Sequence, residues 1–221
     1  MLHEDRLLQP LKRKKPTMIF VCDMGDLFHD DVPGAFIDEV WAVMKSTPQH
    51  FYVLLTKRPA RMKAYTTSFF TLPNVGLMVT CCNQAEADRN IRLLLQCPAA
   101  WRGVSLEPLL GAIDLDSVWP GGLPCPGKGA YVTGIDWVVC GGESGHGCRP
   151  MSHYWARSLR DQCIASNVPF FYKQDGGTHG GGDVLDGSTH HGMPAAWSKW
   201  HEEMTFLRYH WIDAPRRVNA K

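Results

Sequence analysis

Six short runs along the chain are apolar almost without interruption: residues 18–22 (MIFVC), 51–56 (FYVLLT), 75–80 (VGLMVT), 103–106 (GVSL), 136–140 (DWVVC) and 168–172 (VPFFY). A strand with one wet face alternates apolar and polar residues, so continuous runs predict strands buried on both faces. Between the runs, apolar residues recur at helical spacing. Pro33 opens a stretch carrying Phe36, Ile37, Val40, Trp41 and Met44, and Pro is tolerated in a first turn. Asn83 with Glu86 reads as a capping-box start to a helix bearing Ile91, Leu94 and Leu95. Ser152 can cap a helix that stacks Trp155, Leu159 and Cys163, and a shorter segment follows Pro59 with Met62 and Tyr65.

Strand–helix–strand alternation with few hairpin signals predicts an α/β fold with a parallel sheet. A complete or partial (β/α) barrel is the expected closure, with an open doubly wound sheet as the alternative. The whole chain, residues 1–221, reads as a single domain: barrel units over 1–175, then a Gly/His-rich loop and C-terminal extension over 176–221. Residues 120–129 (PGGLPCPGKG) predict a surface excursion, and residues 176–187 a flexible loop leading into a tail with His179, His190, His191, His201 and His210.

Composition narrows the class. At 221 residues the chain can bury a core without a covalent staple. Lys+Arg 23 against Asp+Glu 22 gives +1, so only local patches could attract nucleic acid or a membrane. The N-terminus is charged throughout, and no apolar run reaches the roughly 18–20 residues of a membrane span. Several of the eight cysteines, such as Cys22, Cys97, Cys140 and Cys163, sit in apolar segments, as reduced buried thiols do. A cytoplasmic protein is expected, in the host-cell cytoplasm if phage-encoded.

In parallel α/β folds ligands bind at the carboxyl ends of the strands, so the residues after each run are the candidates. They are Asp23 to His29, Lys57-Arg58, Cys81-Cys82-Asn83-Gln84, Glu107-Pro108, Gly141 to Gly147, and Lys173-Gln174-Asp175. Asp23, Asp26 and Glu107 could supply acid–base chemistry or ligate a hard metal. Lys57 and Arg58, ahead of a helix start, could hold a carboxylate or phosphate. The Gly141–Gly147 segment lacks both the dinucleotide and the phosphate-loop spacing, yet admits close backbone approach, with Glu143 as an acceptor. Neighbouring Cys81 and Cys82 point to opposite sides of a strand and no Cys-x-x-Cys exists, so no cysteine metal site is expected. His190, His191 and His201 could recruit a transition metal, but scattered surface histidines are the expected reading. The run Lys12, Arg13, Lys14, Lys15 is the local basic patch that could meet nucleic acid.

Several longer segments carry a resemblance: residues 2–10 (LHEDRLLQP), 24–33 (MGDLFHDDVP), 55–62 (LTKRPARM), Val79-Thr80 with Asn83-Gln84, 105–111 (SLEPLLG), 136–150 (DWVVCGGESGHGCRP) and 169–174 (PFFYKQ). In order, to about Met193, they resemble an uncharacterised three-Cys-motif family of phages and prophages, itself similar to radical S-adenosylmethionine enzymes and distantly to spore photoproduct lyase. The resemblance implies a partial (β/α) barrel whose three-cysteine motif holds a [4Fe–4S] cluster, with S-adenosylmethionine as cofactor. That motif lies upstream of where this sequence begins, so the first run here corresponds to the family's second strand. The matching strand-exit residues are Asp26, His29, Thr56, Lys57, Arg58, Asn83, Gln84, Glu107, Gly141, Gly142, Glu143, Ser144, Lys173 and Gln174.

Among these matched residues, Asp26, Glu107 and Lys57 are the catalytic candidates. Asp26, Thr56, Asn83, Gln84, Gly141, Gly142, Glu143 and Ser144 are the candidates toward a cofactor, and Lys57, Arg58 and Lys173 toward nucleic acid or another anion. Three functions are expected to compete. One is a truncated radical-enzyme barrel acting on or binding nucleic acid or nucleotide, with a missing segment or partner protein supplying the cluster. Another is a non-catalytic phage protein that binds a host or phage protein, or a second copy, through the exposed barrel edge. The third is a metal-dependent barrel hydrolase or lyase.

Overall fold

The computed structural model describes residues 2–22, 25–68, 71–118 and 134–212, with side chains described as far as Met204. Two short helices, α1 (Glu4–Leu7) and α2 (Gln9–Lys12), precede β1 (Met18–Val21). Then come α3 (Gly34–Ser46), β2 (Phe51–Thr56), α4 (Pro59–Thr66), β3 (Val75–Thr80), α5 (Gln84–Leu94) and β4 (Trp101–Leu106). They are followed by β5 (Trp137–Gly141), α6 (His153–Ala165) and β6 (Phe170–Gln174), a hairpin of β7 (Val184–Leu185) and β8 (Ser188–Thr189), and α7 (Ala195–Ile212). The 120–129 excursion lies outside the described residues.

Strands β1 to β6 form one parallel sheet in chain order. A doubly wound sheet reverses its strand order at a switch point, so the unbroken order overturns that alternative. The register is staggered: the first residues of β1 and β2, Met18 and Phe51, face each other, whereas the third residue of β4, Gly103, faces the first of β5, Trp137. Stagger tilts the strands and curls the sheet into a half-barrel.

Alternate residues of each strand serve two cores, which is why the runs are continuous. On the convex face Leu54, Leu77, Val104, Val138 and Tyr172 pack against Ile37, Met62, Ile91 and Leu159 of the surrounding helices. On the concave face Phe51, Val53, Met78, Trp101, Trp137 and Val139 form a second, aromatic cluster. Helix α7 closes it: Trp200 is buried there and Trp197 packs alongside. Phe51 and Trp101 lie flat on one another at 5.2 Å and 7°, while Trp197 meets Phe51 edge-on at 5.3 Å. Gly76 is required beneath them, since a Cβ there would lie 1.8 Å from Trp101 Cε2.

The caps act locally. Asn83 Oδ1 accepts from Glu86 N–H at 3.0 Å, Glu86 Oε2 accepts from Cys82 N–H, and Ser152 accepts from Tyr154 N–H. Strand bounds shift where turns intervene. Cys22, at φ 59°, leaves β1, and Val168 N–H bonds Cys163 O at the end of α6 rather than opening β6. Asp136 stays outside β5 because its carboxylate accepts from Arg102 N–H. Part of the segment expected to be a flexible loop is the β7–β8 hairpin, turned by Asp186 and Gly187 at positive φ; their Asp-Gly pair was the available signal. Helix α7 was not anticipated either, although Trp197, Trp200, His201 and Met204 carry helical spacing.

The two sheet edges differ. Along β6, Tyr172 N–H donates to His190 O and Gly192 N–H to Phe170 O, so residues 190–192 cover that edge. Among the described residues no strand pairs with the outer side of β1. No helix among them is long and apolar enough to cross a membrane.

Candidate functional site at the strand exits

Above the aromatic floor the concave wall turns polar. Thr80 and Ser105 face each other in register on β3 and β4 and share the concave parity of Met78 and Gly103. Each is only 5% exposed, and neither hydroxyl finds a hydrogen-bond partner among the described residues. Neither was singled out from the sequence; a lone hydroxyl at concave parity in an apolar strand was the signal.

Next to them, Lys173 Nζ lies 2.9 Å from Glu107 Oε1 and 3.0 Å from Oε2. Gln174 Nε2 reaches Glu107 Oε1 at 3.4 Å and donates to Gly142 O at 3.0 Å. Gly141 closes this corner, its Cα side 3.5 Å from the Glu107 carboxylate for any added Cβ. Three strand exits that the sequence read separately thus share one bonded group.

On the β1–β2 side Asp26 is saturated. Its carboxylate accepts from Phe28 N–H (2.9 Å), Thr56 Oγ1 (2.7 Å), Lys57 N–H (3.1 Å) and Arg58 Nη1 (3.0 Å). Thr56 Oγ1 in turn accepts from Arg58 N–H. Asp26 and Arg58 therefore brace the loop after β1 against the exit of β2, and Arg58 is committed to that carboxylate. Lys57 is exposed and has no ionic partner among the described residues, which leaves it as the surplus cation at this end. Asp23 lies outside the described residues.

The Gly141–Ser144 stretch is a backbone crossing. Gly142 N–H donates to Gln174 O, Gly177 N–H to Glu143 O and Gly145 N–H to Gly177 O, and Ser144 bridges Gly177. A Cβ on Gly142 would meet Asp175 O at 2.2 Å, so glycine permits the close approach. Glu143, expected as a free acceptor, is taken by Arg149: Nε and the backbone N–H reach Oε2 at 2.7 and 2.8 Å, and Nη2 reaches Oε1 at 2.8 Å. Those bonds hold its carboxyl at about 2, below the usual range.

Two other predicted residues serve the scaffold. Asn83 caps α5, and the Gln84 amide clamps Asp88, Asp114 and Ser117, joining α5 to the chain after β4. Sequence reading missed Arg149. Asp175, a candidate from the β6 exit, is also taken: its Oδ1 accepts from Tyr172 Oη at 2.6 Å and pairs with His153, which sequence reading missed, at 3.0 Å.

The described cysteines do not form the three-thiolate set that a [4Fe–4S] cluster needs. Cys81 is buried in the convex core, where burial and then Glu86 push its thiol up. Cys82 faces the other way; burial and Glu86 raise it, with Lys57 and Arg149 pulling against them. Cys140 and Cys163 are buried on the convex side, and burial raises Cys163 to about 12. Of the histidines, His191 stacks on Phe171 and pairs with Asp183, and His190 packs against Phe170.

No curated protein and no solved structure matches the chain. One family pattern, described as a protein of unknown function (DUF5131), matches residues 1–194, which span every strand of the half-barrel and stop just before α7. The chain belongs to that family.

Proposed function

We propose that this chain is a radical-S-adenosylmethionine-type (β/α) half-barrel of phage or prophage lineage. In this reading β1 stands in the place of the second strand of that barrel. The mouth binds a nucleotide-like ligand in the host cytoplasm, and the chain does no radical chemistry by itself. The observation that carries it is the division of the concave wall: an aromatic floor sealed by α7, and above it the unpartnered hydroxyls of Thr80 and Ser105. Both hydroxyl oxygens keep contact with solvent rather than being sealed in the core, so a polar ligand can replace that water with its own hydrogen bonds. Lys57 adds an exposed cation that, among the described residues, no carboxylate neutralises, whereas Arg58, Lys173 and Arg149 are paired with Asp26, Glu107 and Glu143.

S-adenosylmethionine fits this donor set through its carboxylate at Lys57 and its ribose hydroxyls at Thr80 and Ser105. When bound to a cluster it supplies a carbon radical, and the described cysteines do not form the three-thiolate set that would hold one. The divalent-metal hydrolase reading draws no support, because Asp26 and Glu107 are consumed in separate bonded groups. A second reading, association with a partner protein through the barrel edge, is favoured by the unpaired outer side of β1.

Calorimetric titration of the purified chain with S-adenosylmethionine and with ATP tests the first reading. Saturable binding by either, lost in Ser105→Leu while the fold is retained, is the expected result. Absence of heat with both ligands, or binding unchanged in the variant, overturns it.

A further inference from the structure

The stretch from the end of α2 through β1 lies at the open edge of the half-barrel, and it concentrates features that nothing at the mouth uses. Lys12, Arg13, Lys14 and Lys15 are exposed in succession, and none has an ionic partner among the described residues. A chain whose total charge is +1 thus carries four uncompensated cations in one short stretch. Beside Lys15 lies a cleft of about 190 Å³ between the start of β1 and α7, lined by Lys15, Thr17, Met18, Trp197, Trp200 and His201. Further up the same strand Phe20 is 44% exposed at concave parity with Met18, although Val53, its register partner on β2, is fully buried.

Four successive exposed cations, an aromatic-walled cleft and a second exposed ring are what a single-stranded nucleic acid requires. Its phosphates need local positive charge, and its unpaired bases stack on aromatic faces without regard to sequence. A duplex hides those bases and gains only the charge. We infer that the outer side of β1 is a track for single-stranded nucleic acid. Phosphates lie on Lys12 to Lys15, one base enters the cleft against Trp197 and His201, and another stacks on Phe20 as the strand heads for the mouth. This deepens the reading of the mouth as a nucleotide site and rests on it for the direction of the track.

The test is fluorescence anisotropy with a labelled thymidine oligomer of about 15 nucleotides and the matching duplex, across a salt series. The single strand should bind at least about tenfold tighter than the duplex, because only it offers bases to stack. Replacing Lys14 and Lys15 together by Gln should flatten the logarithmic salt slope by about 1.4, the contribution of two phosphate contacts. Phe20→Ala and His201→Ala, both exposed positions, should each weaken binding about fivefold or more and leave the slope unchanged. Equal affinity for duplex and single strand, or no loss in both aromatic variants, overturns the track. Loss of S-adenosylmethionine and ATP binding with the oligomer still bound strikes the mouth instead; the reverse pattern strikes the track alone.

Discussion

Lys173 Nζ sits astride the carboxylate of Glu107, 2.9 Å from one oxygen and 3.0 Å from the other, though the two residues are 66 positions apart. The pair joins the exits of β4 and β6 and neutralises both groups where a ligand would enter. The Lys173 side chain is 52% exposed, so water screens the attraction and the pair adds little to stability.

Glu107→Gln therefore acts on binding more than on folding. It releases Lys173 as a second unpaired cation at the strand exits, in addition to Lys57. Affinity for an anionic ligand should rise about fivefold by Coulomb attraction at a partly exposed site. The melting temperature should move by less than about 3 °C. Calorimetry and thermal denaturation read both; weaker anion binding would show that Glu107 itself contacts the ligand.

Asp26→Ala should behave in the opposite way. Four donors converge on that carboxylate, and its side chain is 13% exposed. Removing it strands the Thr56 hydroxyl and the Arg58 guanidinium together, for a loss of about 3 kcal/mol. Urea denaturation measures this. A change below about 1 kcal/mol would mean that the brace contributes nothing to the fold.

Gly76→Ala tests the floor. The new Cβ would occupy the space of the Trp101 indole, which must then leave its stack on Phe51 and disturb the seat of Trp197 and Trp200. Overpacking of this kind costs about 3 kcal/mol. Near-ultraviolet circular dichroism should fall together with the urea midpoint. An unchanged aromatic spectrum would refute the packing described.

The bond between Glu143 and Arg149 gives a pH signature. The folded carboxyl lies at about 2 against an ordinary 4.5, so its contribution is complete above 4.5 and disappears as pH falls toward 2. The melting temperature of the native chain should exceed that of Arg149→Met by a constant margin above pH 5, a margin that closes as acid is added. A margin that persists at pH 2 would place the effect of Arg149 elsewhere.

Thiol labelling distinguishes the two faces of the sheet. Burial pushes up Cys81, Cys140 and Cys163, so all three should resist iodoacetamide at pH 8 until the chain unfolds. Cys22, grouped by its apolar segment with the buried thiols, is instead exposed; partial burial and then Asp26 also raise its thiol, so it should be alkylated in the native state but more slowly than a free cysteine. Mass spectrometry of the labelled peptides decides it.

What the sequence determined by itself is local or periodic. Six continuous apolar runs were enough for six strands, of which β2 to β5 are buried on both faces while the edge strands β1 and β6 are only partly so; Asn83 and Ser152 marked two helix starts, because caps bond within three residues. The set of strand exits was legible for the same reason: in a parallel sheet every exit falls on one side. What only the tertiary structure decided is which of those exit residues remain available. Asp26, Glu107, Glu143 and Gln84 are each consumed by a partner that periodicity cannot forecast, at separations from 6 to 67 positions. Thr80 and Ser105 remain free because strand stagger and the seating of α7 leave the upper concave wall open, and register and packing across the whole chain set both.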